Sequence, residues 1–365
     1  MYSDWNPLAF ISFSSYNYKN GLQLQRNGKE RNWQILPHLI MCLQCIPSHF
    51  ASYDTTRLVL AFFAISGLDL LKDLEALKNK EKIIDWIYTL QVVDYREQAS
   101  GFQGSTTLNT LENRNKSAPY KWCHIAGTYT ALCTLLILRD DLSRVNKEAI
   151  VASLRVLQQP NGVFCASKDG SEGDMRFIYC AACISYIIDD WSGVNIDKAT
   201  KYIIQSLTYE YGFAQGPELE AHGGSTYCAI ASLALMGKLP SLTDIQRKNI
   251  IRWLLNRQMD GFQGRPNKPV DTCYSFWVGA ALKILDAFEF VDFDQNKTYI
   301  LSTQDNLYGG LSKWVDTTSD PLHTYMGLSG LSLMSCDKLE DVMPLLNISQ
   351  RAYTHLKSLH EKWRS

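Results

Sequence analysis

The 365-residue sequence lacks an excess of charge of either sign, because 36 Lys and Arg side chains balance 37 Asp and Glu side chains. A formal net charge of −1 offers no general attraction for nucleic acid or for an anionic membrane. The sequence also lacks an apolar run of membrane-spanning length, and no compact apolar block follows a basic start in residues 1–33. We therefore expect no nucleic-acid partner, no stable membrane insertion and no secretory signal.

The ten cysteines, in a chain without such a signal, predict reduced thiols and a cytoplasmic location. Two Cys-X-X-Cys spacings occur, at Cys42–Cys45 and at Cys180–Cys183. Three residues is nearly one helical turn, so this spacing is typical of a helix face. Because zinc sites of this kind need a second ligand pair at similar spacing, we interpret both cysteine pairs as residues on a helix face rather than as metal ligands.

The sequence does contain an internal repeat of about fifty residues. Each unit has a glycine turn, a polar link and a tyrosine that opens an apolar helix; the tyrosines are Tyr129, Tyr179, Tyr227, Tyr274 and Tyr325. These helices are apolar nearly all round, whereas the intervening helices carry one apolar stripe and one charged face. The pattern predicts an all-α fold, in which inner and outer helices form a closed, double-layered barrel. No linker divides the chain, so we predict one barrel domain over 36–365 after an unpatterned extension at 1–35.

Aligning the repeats on their tyrosines places chemically distinctive residues at or near the starts of inner helices. They are His124 and His222, five before a tyrosine; Arg176 and Asp271, three before; His323, two before; and Cys273, one before. In a closed barrel the helix starts share one rim, so these residues are expected to converge. Asp271 is predicted to be a helix N-cap, and Asp320-Pro321 to open the helix that carries His323.

Asp271, Cys273 and His323 together offer oxygen, sulfur and nitrogen donors suited to zinc. Three protein ligands leave a fourth position open, as a catalytic zinc requires. The alternative interpretation of the same residues is a helix cap, a buried free thiol and a hydrogen-bonded histidine at the rim.

A cationic group surrounds the same helix starts and predicts an anion site. It consists of His222, Arg265 and Lys268 with the Tyr274 hydroxyl. Helix N-termini carry partial positive charge and free N–H groups, which favour an anion such as a phosphate. Taken alone, the two loop cations are more typical of solvated charges, and the aromatic residues Tyr179 and Trp277 below the rim are more typical of core than of a ligand cavity.

Six long stretches of the sequence resemble one known family. They are TTRLVLAFFAISGLDLL, DDLSRVNKEA, DMRFIYCAACISY, HGGSTYCAIASLALMGKL, GRPNKPVDTCYSFWVGA and YILSTQDNLYGGLSKW. From about Leu36 onward the chain resembles the β subunits of protein geranylgeranyltransferase type I, which are CaaX protein prenyltransferases. The resemblance implies an α6–α6 barrel around a lipid cavity, with one zinc on Asp271, Cys273 and His323. It also implies transfer of geranylgeranyl from its diphosphate to the cysteine of a C-terminal CaaX motif, with X often Leu.

The same resemblance implies roles for further residues. The diphosphate would lie on His222, Arg265, Lys268, Tyr274 and Lys313, of which Tyr274 and Lys313 would be catalytic. Lys313 replaces an aspartate that binds magnesium in farnesyltransferase, so magnesium would not be required. The lipid pocket would include Val59, Tyr179, Trp277 and Met326. The carboxylate of the peptide substrate would be bound through water by His124, Glu172 and Arg176.

The family works as a heterodimer, so the resemblance implies an α subunit shared with farnesyltransferase and CaaX-ended small GTPases of Rho, Rac or Rap type as substrates. Alternatives within the family are a farnesyltransferase β subunit, which has tryptophan where this chain has the small Val59, and a Rab-type β subunit. Two alternatives lie outside it. A terpene-cyclase-like barrel would use an acid motif that DTCYS resembles only superficially, and a non-catalytic binding barrel would need no metal.

Overall fold

The computed structural model describes residues 23–26, 29–32, 35–44, 53–96, 99–108, 123–168 and 172–365. Of the predicted extension at 1–35, residues 1–22, 27–28 and 33–34 lie outside the described residues. Strands β1 (Gln23–Arg26) and β2 (Lys29–Asn32) form an antiparallel pair just before the first helix. The boundary at residue 35 therefore stays a prediction.

Thirteen α-helices make up about half of the described residues, and turns and loops make up most of the rest. In order they are α1 (Ile35–Gln44), α2 (Arg57–Leu70), α3 (Lys80–Thr89), α4 (Ile125–Ile137), α5 (Lys147–Leu157), α6 (Met175–Ile188), α7 (Ile196–Gln205), α8 (Gly223–Leu235), α9 (Asp244–Leu255), α10 (Tyr274–Ile284), α11 (Phe293–Ser302), α12 (Pro321–Leu333) and α13 (Gln350–Arg364). Two further antiparallel pairs are very short: β3 (Gln91–Val92) with β4 (Gly101–Phe102), and β5 (Val342–Met343) with β6 (Ile348–Ser349).

The even-numbered helices from α2 to α12 form a closed inner ring. Each packs against the next, and α12 packs against α2, so the ring has no open end. Helices α3, α5, α9 and α11 lie outside the ring, and each packs against the inner helix that follows it in the chain. The predicted all-α, double-layered barrel is therefore confirmed.

The two layers follow from the side-chain patterns of their helices. Inner helix α4 buries almost every residue, and its threonine hydroxyls donate to carbonyls of their own helix, as Thr134 does to Thr130 at 2.7 Å. Outer helix α7 buries only Ala199, Tyr202 and Ile203, and its other residues are half-buried or exposed. Among the described residues, no helix combines the length and the apolar character needed to cross a membrane.

Backbone hydrogen bonds join neighbouring repeats at the ends where the inner helices start, which we call the N-terminal rim. The first N–H of α4, from Ile125, donates to the Ala166 carbonyl at 2.9 Å, and the first N–H of α8, from Gly223, donates to the Gly264 carbonyl at 2.7 Å. Each acceptor belongs to the loop of the next repeat. The bonds satisfy helix N–H groups that would otherwise lack partners, and they fix the position of each repeat relative to the next.

The repeat register at α10 differs from the prediction. His222 begins its helix with an N–H bond to the Phe213 carbonyl at 3.0 Å, and its repeat tyrosine follows five residues later. The equivalent bond before α10 runs from Asp271 to Phe262, also at 3.0 Å, so the equivalent aromatic residue is Phe276. Tyr274 was assigned to the repeat because it is the tyrosine nearest the expected spacing, and this assignment was wrong.

The N-cap prediction for Asp271 also needs correction. Residues 272 and 273 form a turn, α10 starts at Tyr274, and Cys273 is the residue at its N-cap position. The Asp271 carboxylate accepts from the Cys273 N–H at 3.0 Å and so stabilises this turn rather than the helix itself. Asp320, in contrast, caps α12 as predicted, with Pro321 at the first helical position.

With that correction, one aromatic residue from every inner helix stands at the same level of the barrel. The six are Phe62, Tyr129, Tyr179, Tyr227, Phe276 and Tyr325. Neighbouring rings lie in contact, with centroids 5.2–5.9 Å apart in the pairs from Phe62 through to Phe276 and between Tyr325 and Phe62. All six side chains are buried. They form an aromatic layer about five residues, or about 7 Å, inside the N-terminal rim.

A hairpin made by β5 and β6 enters the barrel from the end opposite that rim. Its base is fixed to the last turns of α12 and α2, because the Val342 N–H donates to the Ser332 hydroxyl at 2.8 Å and the Ser349 hydroxyl donates to the buried Asp69 carboxylate at 2.5 Å. Arg351, at the start of α13, pairs with the same Asp69 at 2.7 Å. The hairpin tip, residues 344–347, reaches the aromatic layer.

Candidate metal and diphosphate site

Asp271, Cys273 and His323 converge at the N-terminal rim, although His323 follows Asp271 by 52 positions in the sequence. One ligand atom from each lies within 4.8 Å of the others. The turn before α10 supplies the first two, and the first turn of α12 supplies the histidine. Because oxygen, sulfur and imidazole donors meet in a partly buried place, the residues present fit a zinc-type cation.

Asp320 orients the histidine of this group and was not predicted as a site residue. The His323 Nδ1 lies 2.6 Å from the Asp320 carboxylate, and the opposite ring nitrogen, Nε2, lies 3.3 Å from Asp271. A carboxylate on one nitrogen of a metal-binding histidine fixes the ring and raises its basicity. A signal was present in the sequence, since Asp320 lies five residues before Tyr325, the same offset as His124 and His222 from their tyrosines.

The electrostatics of the group favour an ionised carboxylate beside a cation. Burial alone would raise the pKa of Asp271, but hydrogen bonds from His323 and Cys273 hold it below its ordinary value. Burial alone would lower the pKa of His323, but the bonds to Asp271 and Asp320 outweigh it and raise the pKa to about 9. Burial, with the nearby Asp271 charge, raises the pKa of the Cys273 thiol well above its usual value.

Lys313 lies directly beside this group. Its Nζ is 3.7 Å from the Asp271 carboxylate and 4.4 Å from the centre of the Trp314 ring, and about half of its side chain is exposed. The Lys313 carbonyl accepts from the Thr272 N–H at 3.2 Å, which ties its loop to the turn before α10. The lysine therefore stands at the N-terminal rim, as predicted, and contacts a predicted metal ligand.

His222 and Tyr274 form a hydrogen-bonded pair whose proton positions can be assigned. The His222 Nδ1 accepts from the Gly224 N–H at 3.1 Å, so the proton of the neutral ring is on Nε2. Burial, and then the Arg265 charge, lower the pKa of His222 and favour this neutral form. Nε2 then donates to the Tyr274 oxygen at 2.8 Å, which leaves the tyrosine O–H to donate to another group.

The two predicted loop cations lie in the turn that follows Gly264. The Arg265 guanidinium pairs with Glu220, an acid that was not predicted as part of the site. Lys268 is exposed, and its backbone N–H donates to the Arg265 carbonyl at 3.4 Å. The Gly223 N–H, three residues after Glu220, donates to the Gly264 carbonyl and connects this turn to the start of α8.

The predicted peptide-binding residues lie together at the starts of α4 and α6. Arg176 contacts Glu172 at 3.3 Å, and its guanidinium lies 5.2 Å from the Phe177 ring, against which the His124 ring packs at 5.7 Å. Asp174, which was not predicted, caps α6 and pairs with Arg176 at 2.5 Å. It too stands five residues before a repeat tyrosine.

The predicted lipid residues occupy different walls of the barrel. Tyr179 and Trp277 both contact the Tyr227 ring, each with a centroid separation of 5.2 Å, and Met326 is buried on α12. Val59 is half-buried in the first turn of α2. In the ring order α2 lies opposite α8, so Val59 stands across the barrel from the helix that His222 caps.

Comparison with known proteins gives consistent results. A family model described as the prenyltransferase alpha-alpha toroid domain matches residues 33–348. The geranylgeranyl transferase type-1 subunit beta of Dictyostelium discoideum is 39% identical over 326 residues, which covers 85% of this chain and 92% of the relative. The Arabidopsis thaliana protein of the same name is 36% identical over 329 residues, covering 86% and 87%. The solved Candida albicans protein geranylgeranyltransferase-I complexed with GGPP superposes with a TM-score of 0.81 at 26% identity, covering 89% of this chain and 98% of that one.

Proposed function

We propose the following reaction from the premise that this chain belongs to the prenyltransferase alpha-alpha toroid family, and within it to the geranylgeranyl transferase type-1 β subunits. The chain is an enzyme subunit of prenyl transfer, so the family predicted from the sequence is confirmed. One observation supports the assignment of the reacting groups to particular residues. Three groups lie together on the N-terminal rim of the closed barrel. They are the metal donors Asp271, Cys273 and His323, the turn with Arg265 and Lys268 (the basic turn), and the Tyr274 O–H.

The lipid substrate is geranylgeranyl diphosphate, with its diphosphate on His222, Arg265, Lys268, Tyr274 and Lys313. The hydrogen bonding of the His222–Tyr274 pair supports this, since it leaves the Tyr274 O–H to donate to an anion. The helix starts add backbone N–H groups and partial positive charge. Arg265 would exchange its pairing with Glu220 for the diphosphate.

One zinc ion would be held by Asp271, Cys273 and His323. When bound, zinc lowers the pKa of a substrate thiol at its open position and holds it as the thiolate. Asp320 keeps the His323 ring oriented, and the buried position of Cys273 excludes water from the donor set.

The transfer makes a carbon–sulfur bond and breaks a carbon–oxygen bond. The cysteine sulfur of the protein substrate donates an electron pair to C1 of the geranylgeranyl chain, and the diphosphate leaves with the electrons of the broken bond. Lys313 and the Tyr274 hydroxyl stabilise the negative charge that develops on the leaving group. Because Lys313 supplies a positive charge at this place, we propose that magnesium is not required.

The protein substrate is proposed to be a CaaX-ended small GTPase of Rho, Rac or Rap type, often with a final Leu. Its terminal carboxylate would be bound through water by His124, Glu172 and Arg176, which share one part of the rim. The chain would act with an α subunit shared with farnesyltransferase. The cytoplasmic location and the single domain over 36–365 remain predictions.

Prenyl transfer by the reconstituted heterodimer tests this function. Both diphosphates, farnesyl and geranylgeranyl, should be compared with peptides that end in Leu or in Ser. We expect the highest kcat/KM with geranylgeranyl diphosphate and the Leu-ended peptide. A preference for farnesyl diphosphate and the Ser-ended peptide would contradict the proposal.

Lys313→Ala should slow the chemical step by roughly 10–100-fold, because a cation positioned at a leaving group lowers the barrier and this lysine is half exposed. Diphosphate affinity should change little. Single-turnover rates with and without magnesium measure the effect, and Lys313→Asp should be slow without magnesium and partly restored by it. Since Lys313 contacts Asp271, zinc content must be shown to be unchanged. A wild-type rate that depends on added magnesium would refute the assignment.

Gly264→Ala should weaken diphosphate binding by about three- to tenfold, the cost of one displaced hydrogen bond of about 1 kcal/mol. A Cβ at residue 264 would overlap the ring and hydroxyl of Tyr274 and would push them from His222. Equilibrium binding of a fluorescent prenyl diphosphate measures the loss. Tyr274→Phe serves as the comparison, because it removes the hydroxyl without adding a clash; full affinity in both variants would exclude Tyr274 from the site.

A further inference from the structure

The hairpin tip at residues 344–347 is held inside the barrel by the repeat tyrosines. The hydroxyls of Tyr227, Tyr129 and Tyr325 donate to the carbonyls of Pro344, Leu346 and Asn347, each at 2.8 Å. The Tyr179 hydroxyl lies 3.2 Å from the Leu345 carbonyl and 2.8 Å from the Tyr227 hydroxyl, between which it shares its proton. Four successive carbonyls thus meet tyrosines from four inner helices.

These bonds define where the barrel interior ends. The base of the hairpin is attached near the last turns of α2 and α12, and its tip reaches the aromatic layer about 7 Å inside the N-terminal rim. Leu346 and Asn347 are buried and Pro344 and Leu345 are half-buried, so the tip fills the centre of the ring at that level. The interior between the tip and the rim is therefore shallow.

A shallow interior constrains how a long prenyl chain lies. The proposed diphosphate residues stand at the starts of α8 and α10, and α2 lies opposite α8 in the ring. An extended geranylgeranyl chain is longer than the depth above the tip, so it runs across the barrel from α8 toward the Val59 wall. Along that path the hairpin tip lies beneath it.

We propose that the hairpin tip is the floor of the prenyl pocket, and that its tyrosine hydrogen bonds limit how long a prenyl chain the site accepts. The inference rests on the proposed function and adds a specificity element to it, separate from the wall at Val59. The tyrosine rings line the floor, and their hydroxyls hold it at a fixed height. Weakening those bonds lets the tip retreat and makes room for one more isoprene unit.

The first test uses the unaltered heterodimer and measures amide hydrogen exchange with and without geranylgeranyl diphosphate. Exchange in the peptide that covers 342–349 should slow on binding, and by more than exchange in α13, which lies outside the barrel interior. Equal changes in both peptides, or none in 342–349, would overturn the proposal, because a chain resting on the floor must shield it.

The second test compares two double variants that each remove two tyrosine hydroxyls. Tyr129→Phe with Tyr179→Phe loosens the floor but keeps both rings. Tyr186→Phe with Tyr353→Phe is the matched control, because it removes a hydroxyl pair 2.9 Å apart between α6 and α13, away from the hairpin tip. Because each lost hydrogen bond is worth about 1 kcal/mol, the kcat/KM of the five-isoprene diphosphate, relative to the four-isoprene one, should rise by at least about fivefold in the first variant only.

The outcomes separate this inference from the proposed function. If the wild-type heterodimer transfers geranylgeranyl but both double variants keep its ratio of kcat/KM values, the floor proposal is wrong and the function stands. If the wild-type heterodimer transfers no prenyl group from any diphosphate, the proposed function fails and this inference fails with it.

Discussion

Cys273→Ala is expected to abolish peptide prenylation and to reduce zinc affinity by at least about 100-fold, since even residues behind the metal ligands contribute about 10–100-fold. Among the described residues the cluster has three protein donors, so loss of the thiol leaves two of them. Binding of geranylgeranyl diphosphate should be largely spared, because His222, Tyr274 and the basic turn are unchanged. Metal content by atomic absorption and lipid binding by fluorescence measure the two effects separately.

Two comparison variants sharpen this prediction. Cys133→Ala removes another fully buried cysteine from an inner helix, α4, and should keep its zinc. Asp320→Asn should lower zinc affinity by only about 10–100-fold, because asparagine still caps α12 while the carboxylate on His323 is lost. Full zinc occupancy in both Cys273→Ala and His323→Ala would show that the metal, if any, is bound elsewhere.

Val59→Trp is expected to reverse the lipid preference from geranylgeranyl to farnesyl diphosphate. The half-buried Val59 stands across the barrel from His222, where the last isoprene of a chain running from the diphosphate site would lie. A large ring there removes the room for that unit. The ratio of the two kcat/KM values should change by at least roughly tenfold, since one methylene in an apolar pocket is already worth about 10–200-fold.

The control for this prediction is Val59→Thr, which keeps the volume and should leave the preference for geranylgeranyl unchanged. Overpacking by tryptophan costs about 1–3 kcal/mol, so thermal melting must first show that Val59→Trp is folded. An unchanged preference in a folded tryptophan variant would assign chain length to other residues, such as those of the hairpin tip.

The fold was predictable because the same helix pattern recurs in successive repeats of the sequence. Inner helices that are apolar all round alternate with outer helices that have one apolar stripe. Because several repeats show this pattern, one wrongly aligned residue does not change the predicted fold. The register of α10 was not predictable in the same way. Tyr274 is a tyrosine, as the repeat pattern requires, but it stands two residues before the true equivalent, Phe276. Phe276 is one of several apolar residues in α10, so the sequence does not distinguish it from its neighbours.

The candidate site was partly predictable for a related reason. Asp271, Cys273 and His323 are unusual at helix starts, so their offsets from the repeat tyrosines brought them together. Asp174 and Asp320 have the same offset from their tyrosines as His124 and His222, but aspartate is so common a helix cap that this position alone does not indicate a site residue. The position of the hairpin tip inside the barrel could not be predicted from the sequence, because the tip is held through its backbone carbonyls, and every residue has one.

The packing of α12 on α2 has a consequence for how the chain is made. Roughly 250 residues separate the two helices, and a ribosome adding about 5–20 residues per second needs roughly 10–50 s to produce them. During that interval the flank of α2 that α12 will cover stays exposed and apolar. A chain interrupted after α10 would keep two such flanks that have no partner, so we expect premature termination to yield aggregation-prone fragments rather than a smaller working barrel.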